Sequence, residues 1–283
     1  MHWVTIRECR IPYLEDRRCF KIQNYQSLNE LIQFLIVPTL LINNLMTKTF
    51  LTAHWEDLVM ANYSVPPEIL LPYLPKGVSL DLYEDKAYVS LVGFMFKRTS
   101  LFSIPIPLMG TFEEINLRFY VKRNDGDTLK RGVVFINETV PFQAVAYLAN
   151  KLYKEHYISI PTKSQISQTE EIKNICYQWK PKSDWNQITL STDISSTEME
   201  NNSIEEFIFE HYYGYTKISD SESQEYRVNH PRWRINKVLS YDIQCDFSAM
   251  YGNDFAFLCN QEPDSVIFAE GSPVSVDWKR TKF

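Results

Sequence analysis

The sequence predicts an α+β fold that is mostly β, with antiparallel strands and two or three short helices. Aromatic residues make up 14% of the chain, with 17 Tyr and 17 Phe, and aromatic side chains are enriched in strands. Short segments with a two-residue hydrophobic period recur between turn-forming residues. The clearest pair of such segments, residues 112–141, predicts a β-hairpin.

This central hairpin has two chemically different faces. In its first strand, apolar side chains share one face: Ile115, Leu117, Phe119 and Val121. Polar side chains share the other: Glu114, Asn116, Arg118 and Tyr120. Residues 124–127 predict the turn, because Asn, Asp and Gly tolerate the positive φ that hairpins need. The return strand, 131–140, carries Glu138 and ends before Pro141.

The polar row formed by Glu114, Asn116 and Arg118 is the first candidate for function. Neighbours in such a row lie roughly 6.6–7 Å apart along the strand, so a site also needs side chains from other strands. Two interpretations stay open. The row faces water, as one side of many antiparallel sheets does, or the sheet curls into a barrel and the row lines its pocket.

The segments before the hairpin predict further strands and one helix. Residues 55–63 predict a strand, and residues 68–74 predict a short helix. Residues 78–83 and 86–96 predict a second hairpin, whose second strand is apolar on both faces and therefore covered on both sides. Residues 97–111 predict an apolar loop, because two prolines in three residues disfavour helix and strand alike.

The segments after the hairpin predict two helices and several outer strands. Residues 142–153 predict a helix from their apolar stripe, and Ser203 with Glu206 forms a capping box that begins a helix ending near His211. Further short strands are predicted at 172–179, 187–193, 238–245, 255–258, 265–269 and 274–279.

A second group of candidate residues lies in the aromatic and basic segments near residues 212–234. Tyr213, Arg227 and His230 belong to it, and such a mixture could stack on a ligand or hold an anion. The competing interpretation is that most of these aromatic residues are core with satisfied polar tips.

Charge and cysteine content disfavour several function classes. The formal net charge is −6 and the pI is near 5.5, so nucleic acid and anionic membranes are not expected partners. The five cysteines are odd in number and contain no C-x-x-C pair, which predicts neither a disulfide framework nor a zinc site. A reducing cytoplasm fits this pattern. The five histidines show no metal-binding spacing, and no metal or cofactor is predicted.

Residues 1–45 differ from the rest of the chain. Their apolar run, residues 31–45, is shorter than a typical membrane span of about 20 residues and contains Gln33, Pro38 and two Asn. We expect an N-terminal extension, either a leader or an over-extended start, followed by a single domain over 46–283. A docked helix is the competing interpretation.

From residue 50 onward the chain resembles the YqjF-like family of uncharacterised bacterial proteins. The motifs that carry the resemblance are WEDLVMANYSV, PPEILLPYLPKG, AYVSLVGFMF, FEEINLRFYV, RGVVFINETVP, EEFIFEHYYGYT, EYRVNHPRW and FAEGSPVSV. That family in turn is distantly similar to acetoacetate decarboxylase, which implies a barrel-like antiparallel sheet around a small-molecule pocket. The resemblance matches Glu114 to a pocket glutamate and favours the polar row lining a pocket.

The same resemblance argues against imine chemistry. Acetoacetate decarboxylase forms a Schiff base through a lysine that lies just after the proline matching Pro141, with its pKa lowered by a neighbouring cation. Here residues 142–145 are Phe-Gln-Ala-Val, and Lys151 and Lys154 lie two or more helical turns further on. Schiff-base decarboxylation is therefore not expected.

Three functions follow as hypotheses. The first is a pocket that binds a small organic molecule, with an organic anion favoured by Arg118 and Arg227. The second is a lyase or hydrolase that uses Glu114 with His211 or His230 as acid and base. The third is a non-catalytic interaction protein, a homo-oligomer joined through the apolar loop 101–109.

Overall fold

The structure is a computed structural model, and it describes residues 49–283. Alternation of apolar and polar residues in this part of the chain builds long strands. The expectations for residues 1–45 lie outside the described residues. The strands are β1 (Thr49–Val65), β2 (Ser79–Leu80), β3 (Ala87–Leu101), β4 (Ile104–Pro105), β5 (Phe112–Asp125), β6 (Thr128–Val140), β7 (Tyr157–Ser159), β8 (Thr162–Gln168), β9 (Ile172–Trp179), β10 (Asn186–Glu198), β11 (Tyr213–Lys217), β12 (Ser223–Asn229), β13 (Arg234–Gln244) and β14 (Ser265–Lys282).

The helices are short, and two of them continue as 3₁₀ turns. They are α1 (Pro67–Leu70) with the 3₁₀ turn Leu71–Tyr73, α2 (Gln143–Tyr153), α3 (Ile204–Phe209), and α4 (Phe247–Tyr251) with the 3₁₀ helix Asn253–Asn260. None of the helices in residues 49–283 is long and apolar enough to cross a membrane.

Seven strands close into a barrel in the order β1, β3, β5, β6, β11, β12, β14. Antiparallel pairing of β14 with β1 completes the ring, running from Ser265 opposite Asn62 to Asp277 opposite Thr49. Neighbouring strands are antiparallel except for β6 and β11, which are parallel. Closure leaves these strands without free edges. The barrel-like antiparallel sheet expected from the sequence is confirmed.

An extension of the same hydrogen-bonded sheet, called the second sheet, covers one side of the barrel. It continues from β14 through β13, β10, β9 and β8. Apolar side chains of the central hairpin, such as Leu117 and Phe119, pack in one cluster with Tyr177 and Trp179 of β9. The Tyr177 hydroxyl also donates a hydrogen bond of 2.9 Å to the carbonyl of Asp57. The apolar face of the hairpin therefore forms an outer core between the barrel and the second sheet.

The central hairpin has the predicted connection. Asp125 pairs with Thr128, so Gly126 and Asp127 form a two-residue turn, with Gly126 at φ 62°. The first ten residues of β3, next to β5, are all buried, which confirms that this strand is covered on both faces. The alternation of β5 turns its polar row towards the barrel interior.

Two local expectations were wrong. Residues 97–111 are not wholly irregular, because Phe102 and Ser103 adopt positive φ and return the chain as β4 against the end of β3. Residues 255–258 are not a strand. They lie in a 3₁₀ helix that follows Gly252 at φ 96°, where the buried side chains Phe255 and Leu258 are three residues apart and face the core together.

Candidate functional site

The barrel encloses a cavity of about 130 Å³ between its strands and helix α2. Most of its lining is apolar and aromatic, with contributions from β1, β3, β5, β6 and the inner face of α2: Phe94, Phe96, Phe112, Phe135, Val145, Leu148 and Ala149. Loop residues also take part, because Thr99, Leu101 and Ile106 border the cavity. The cavity is thus mainly apolar, with a small number of polar groups on its wall.

The polar row of β5 lies on the cavity wall. Glu114, Asn116 and Arg118 all line the cavity, and Glu138 joins them from β6, where it pairs directly with Asn116. The Asn116 amide donates a 3.0 Å hydrogen bond to Oε1 of Glu114. The Tyr157 hydroxyl donates one of 3.0 Å to Oε2 of the same carboxyl group. Both oxygens of Glu114 are therefore acceptors in use.

Several other polar residues of the cavity were not singled out from the sequence. Glu155 and Tyr157 follow α2, and Tyr226 comes from β12. Lys154 ends α2 in the left-handed conformation, with φ 61°, and the chain then passes back along the barrel. The side chain of Glu155 is buried and accepts a 2.8 Å hydrogen bond from the Thr216 hydroxyl. The usable sequence signal was the Glu-x-Tyr spacing at 155–157, which has the period of a strand face.

Burial raises the pKa of each of the three carboxyl groups that line the cavity, so they keep their protons to a higher pH than exposed carboxyl groups do. It raises the pKa of Glu114 to about 7, against the lowering effect of the hydrogen bonds from Asn116 and Tyr157. Burial also raises the pKa of Glu155 to about 7. The pKa of Glu138 is well above its usual value because of burial and of the neighbouring charges of Glu155 and Glu114. Near neutral pH the cavity can therefore both hold and release protons.

Arg118 is the cation of this cavity wall and is incompletely paired. Its Nη2 donates a 3.4 Å hydrogen bond to the carbonyl of Ile208, while its Nε has no hydrogen-bond partner. Within residues 49–283, no carboxylate lies within ion-pair distance of this guanidinium. Glu114 and Arg118 therefore do not form an ion pair with each other. The charge of Arg118 nevertheless lowers the pKa of Glu114.

Strand alternation places Tyr213 and Arg227 off the cavity. On β11, Tyr213 packs on the outer core, whereas Thr216 faces inward and reaches Glu155. On β12, Tyr226 lines the cavity and Arg227 is exposed. The side chains that face inward, Thr216 and Tyr226, were thus not among the candidate residues predicted from the sequence.

The two candidate histidines also lie elsewhere. His211 is buried behind Tyr120, with ring centroids 4.8 Å apart, and its Nε2 lies 3.3 Å from Oδ2 of Asp81. His230 stacks at 4.1 Å on Trp233 and borders a surface groove. Burial lowers the pKa of each histidine to about 4. Neither borders the cavity, so the structure does not bring Glu114 together with a histidine.

No group of three or more His, Cys, Asp or Glu side chains in the described part of the chain is arranged to hold a metal ion. Hydrogen bonds from protein side chains hold two of the three cavity carboxyl groups, those of Glu114 and Glu155. Their partners in these bonds are one amide group and two hydroxyl groups.

The barrel is similar to solved structures of the acetoacetate decarboxylase type. An acetoacetate decarboxylase-like enzyme from Sphingomonas wittichii RW1 matches with a TM-score of 0.54 and 10% identity, over 84% of this chain and 94% of that one. The enduracididine biosynthesis enzyme MppR complexed with pyruvate matches with a TM-score of 0.56 and 9% identity, over 84% and 91%. At such identities the likeness shows the fold, which confirms the expected acetoacetate decarboxylase-like barrel.

Sequence relatives support the family expected from the motifs. The uncharacterized protein YqjF of Bacillus subtilis (strain 168) is 35% identical over 68 residues, which is 24% of this chain and 28% of YqjF. The match thus spans well under two thirds of that relative. The family of uncharacterized conserved proteins DUF2071 matches over residues 52–273. The chain therefore belongs to the DUF2071 family.

Proposed function

We propose that the barrel binds a small organic molecule non-covalently in its cavity. The observation that carries this proposal is a set of buried polar atoms, on residues that line the cavity, that have no hydrogen-bond partner: Asn116 Oδ1, Glu138 Oε2, Arg118 Nε, Trp55 Nε1 and Thr99 Oγ1. Each unpartnered buried polar group costs about 1–3 kcal/mol. A ligand with matching groups would remove that cost, as would ordered water.

The size of the cavity limits the ligand to a few non-hydrogen atoms. Its volume of about 130 Å³ is close to the ~150 Å³ of an engineered apolar cavity that holds benzene. Arg118 offers donors for an oxygen acceptor on the ligand. The structurally similar enzyme MppR is complexed with pyruvate, which supports a small polar organic molecule as the ligand class. The free thiols of Cys245 and Cys259 are consistent with our proposal of a cytoplasmic location.

The alternative functions have weaker support. Acid–base catalysis by Glu114 with a histidine is not supported, because neither His211 nor His230 borders the cavity that contains Glu114. Two large apolar side chains of the loop, those of Ile104 and Leu108, are exposed and could form an interaction surface. Other residues of that loop, Leu101 and Ile106, line the cavity. Covering the cavity is therefore the better account of the loop.

Binding can be tested by asking which small molecules leave the purified protein on denaturation. We expect wild-type protein taken from its native host to release a specific compound that mass spectrometry detects. Ala149→Trp places an indole in the cavity and should abolish that release. Tyr147→Trp, on the exposed face of the same helix, is the matched control and should retain it. Equal release from both variants would contradict binding in this cavity.

Treatment with acetoacetate and borohydride should leave the mass of the protein unchanged. The cavity lining contains no lysine among the described residues, and Lys151 and Lys154 are exposed. An imine therefore has no amine from which to form in the pocket. Intact-mass spectrometry is the measurement, with an acetoacetate decarboxylase treated in parallel as the positive control. A stoichiometric mass increase would show that imine chemistry persists.

A further inference from the structure

The cavity wall carries more acidic side chains than basic ones among the described residues. Three carboxyl groups, those of Glu114, Glu138 and Glu155, share the cavity with one guanidinium, that of Arg118. The oxygens of Glu114 already accept from protein donors. Oε2 of Glu138 accepts from none, although this residue is only 2% exposed. A ligand that donates a hydrogen bond would satisfy this oxygen, while the unpartnered Arg118 Nε and Trp55 Nε1 leave donors for an acceptor on the same ligand.

A second acceptor points the same way independently of the acid cluster. Oδ1 of Asn116 has no partner, and this residue is also only 2% exposed. Its amide nitrogen is committed to Glu114, which fixes the free oxygen as the group left for a ligand. Asn116 and Glu138 are paired across β5 and β6, so their Cβ atoms lie roughly 4.5–5.5 Å apart. One small donor group can reach both side chains.

We infer that the ligand carries a primary amine, bound as an ammonium ion by Oε2 of Glu138 and Oδ1 of Asn116. This inference rests on the proposed function and specifies its ligand class. An ammonium has three N–H donors and a positive charge, whereas a hydroxyl has one donor and no charge. Hydrogen bonds between ionised partners are roughly twice as strong as neutral ones. Arg118 is then left for an acceptor on the same molecule.

Proton release should accompany binding. Glu138 is surrounded by Glu114 and Arg118 of β5, by Glu155 and Tyr157 on the segment after α2, and by Tyr226 of β12. Without a bound cation, burial and mutual repulsion keep protons on these carboxyl groups. An ammonium favours the ionised form, so protons leave as it enters. The same coupling makes affinity increase with pH.

Three probes of similar size separate the amine from the pocket itself. Butylamine, 1-butanol and butyrate are titrated into the full chain by calorimetry. Butylamine should bind at least about tenfold more tightly than the other two. If 1-butanol or butyrate binds as tightly as butylamine, the amine inference is overturned while the proposed pocket stands. If none of the three binds, both are overturned.

A variant and a pH series complete the test. Glu138→Gln should lose the preference for butylamine, whereas Glu113→Gln should keep it, because Glu113 bonds Thr162 of the second sheet. Equal loss or equal retention would overturn the inference. If Glu138→Gln does not fold, wild-type protein decides. Its affinity for butylamine should increase from about pH 5.5 to about pH 7.5, because burial and the neighbouring carboxylates raise the pKa of Glu138 and the group ionises as the pH rises. An affinity that does not increase overturns the inference.

Discussion

Glu114→Gln is expected to stabilise the protein at alkaline pH relative to wild type, and progressively less as the pH falls. The pKa of Glu114 is about 7 in the folded protein against an ordinary value of 4.5. The folded state therefore keeps a proton that the unfolded chain loses between these values. The stability that this carboxyl contributes is present at low pH and is lost as the pH rises through 7. Glutamine does not titrate, so the variant escapes this loss.

The expected size of this effect is large enough to measure directly. The difference in unfolding free energy between variant and wild type should grow by about 3 kcal/mol from about pH 4.5 to about pH 8. Urea denaturation at a series of pH values gives both curves. His211 and His230, whose pKa values are lowered to about 4, add stability with rising pH in both proteins and cancel in the difference.

Glu113→Gln is the matched control for this prediction. Glu113 is the adjacent residue of β5 and faces the second sheet, where the Thr162 hydroxyl donates to it over 2.6 Å. Its replacement removes a carboxyl from the same strand without touching the cavity. Parallel pH curves for Glu114→Gln and wild type would mean that Glu114 is not a buried acid, and the account of the cavity would fail.

Gly271→Ala is expected to destabilise the protein by about 3 kcal/mol or more, because Gly271 lies where β14 pairs with β1 to close the barrel. Gly271 pairs with Glu56 at the junction of β14 and β1 and has φ 89°. A Cβ here would collide with the backbone carbonyl of Trp55 and lie 2.7 Å from a methyl group of Leu58. Backbone cannot move aside as a flexible side chain can. Thermal and urea unfolding measure the loss.

Gly252→Ala separates the clash from the backbone strain. Gly252 has a similar φ of 96°, but no atom lies within 4 Å of the position that its Cβ would take. Its replacement should cost only the strain of positive φ, about 1–2 kcal/mol. The difference between the two variants then reports the close approach of β14 to β1. If both variants lose the same stability, β14 does not approach β1 at Gly271 as closely as described.

The central hairpin shows how much of this fold the sequence could predict. Its two-residue period fixed which side chains share a face, and its turn residues fixed the connection between β5 and β6. Period alone could not say which face turns inward, because both faces of β5 are buried in this fold. The barrel had to be inferred from family motifs, since ring closure depends on the pairing of β14 with β1, some 200 residues apart in sequence.

The candidate site was predicted in part for the same reason. Glu114, Asn116, Arg118 and Glu138 share one wall because they lie on neighbouring strands of one hairpin. Glu155 and Tyr226 reach the cavity only through the tertiary fold. On β11 and β12 the charged and aromatic character of Tyr213 and Arg227 suggested function, yet alternation turns these side chains outward. On β11 and β12 the sequence therefore indicated the segment that reaches the site but not which of its residues face inward.

The most direct test is a crystal structure of wild-type protein purified from its native host. We expect density for a small molecule within the barrel, in contact with Glu138, Asn116 and Arg118 and not covalently attached to any side chain. Polar groups of β5 that are bathed in bulk solvent, with no interior space behind them, would contradict the account.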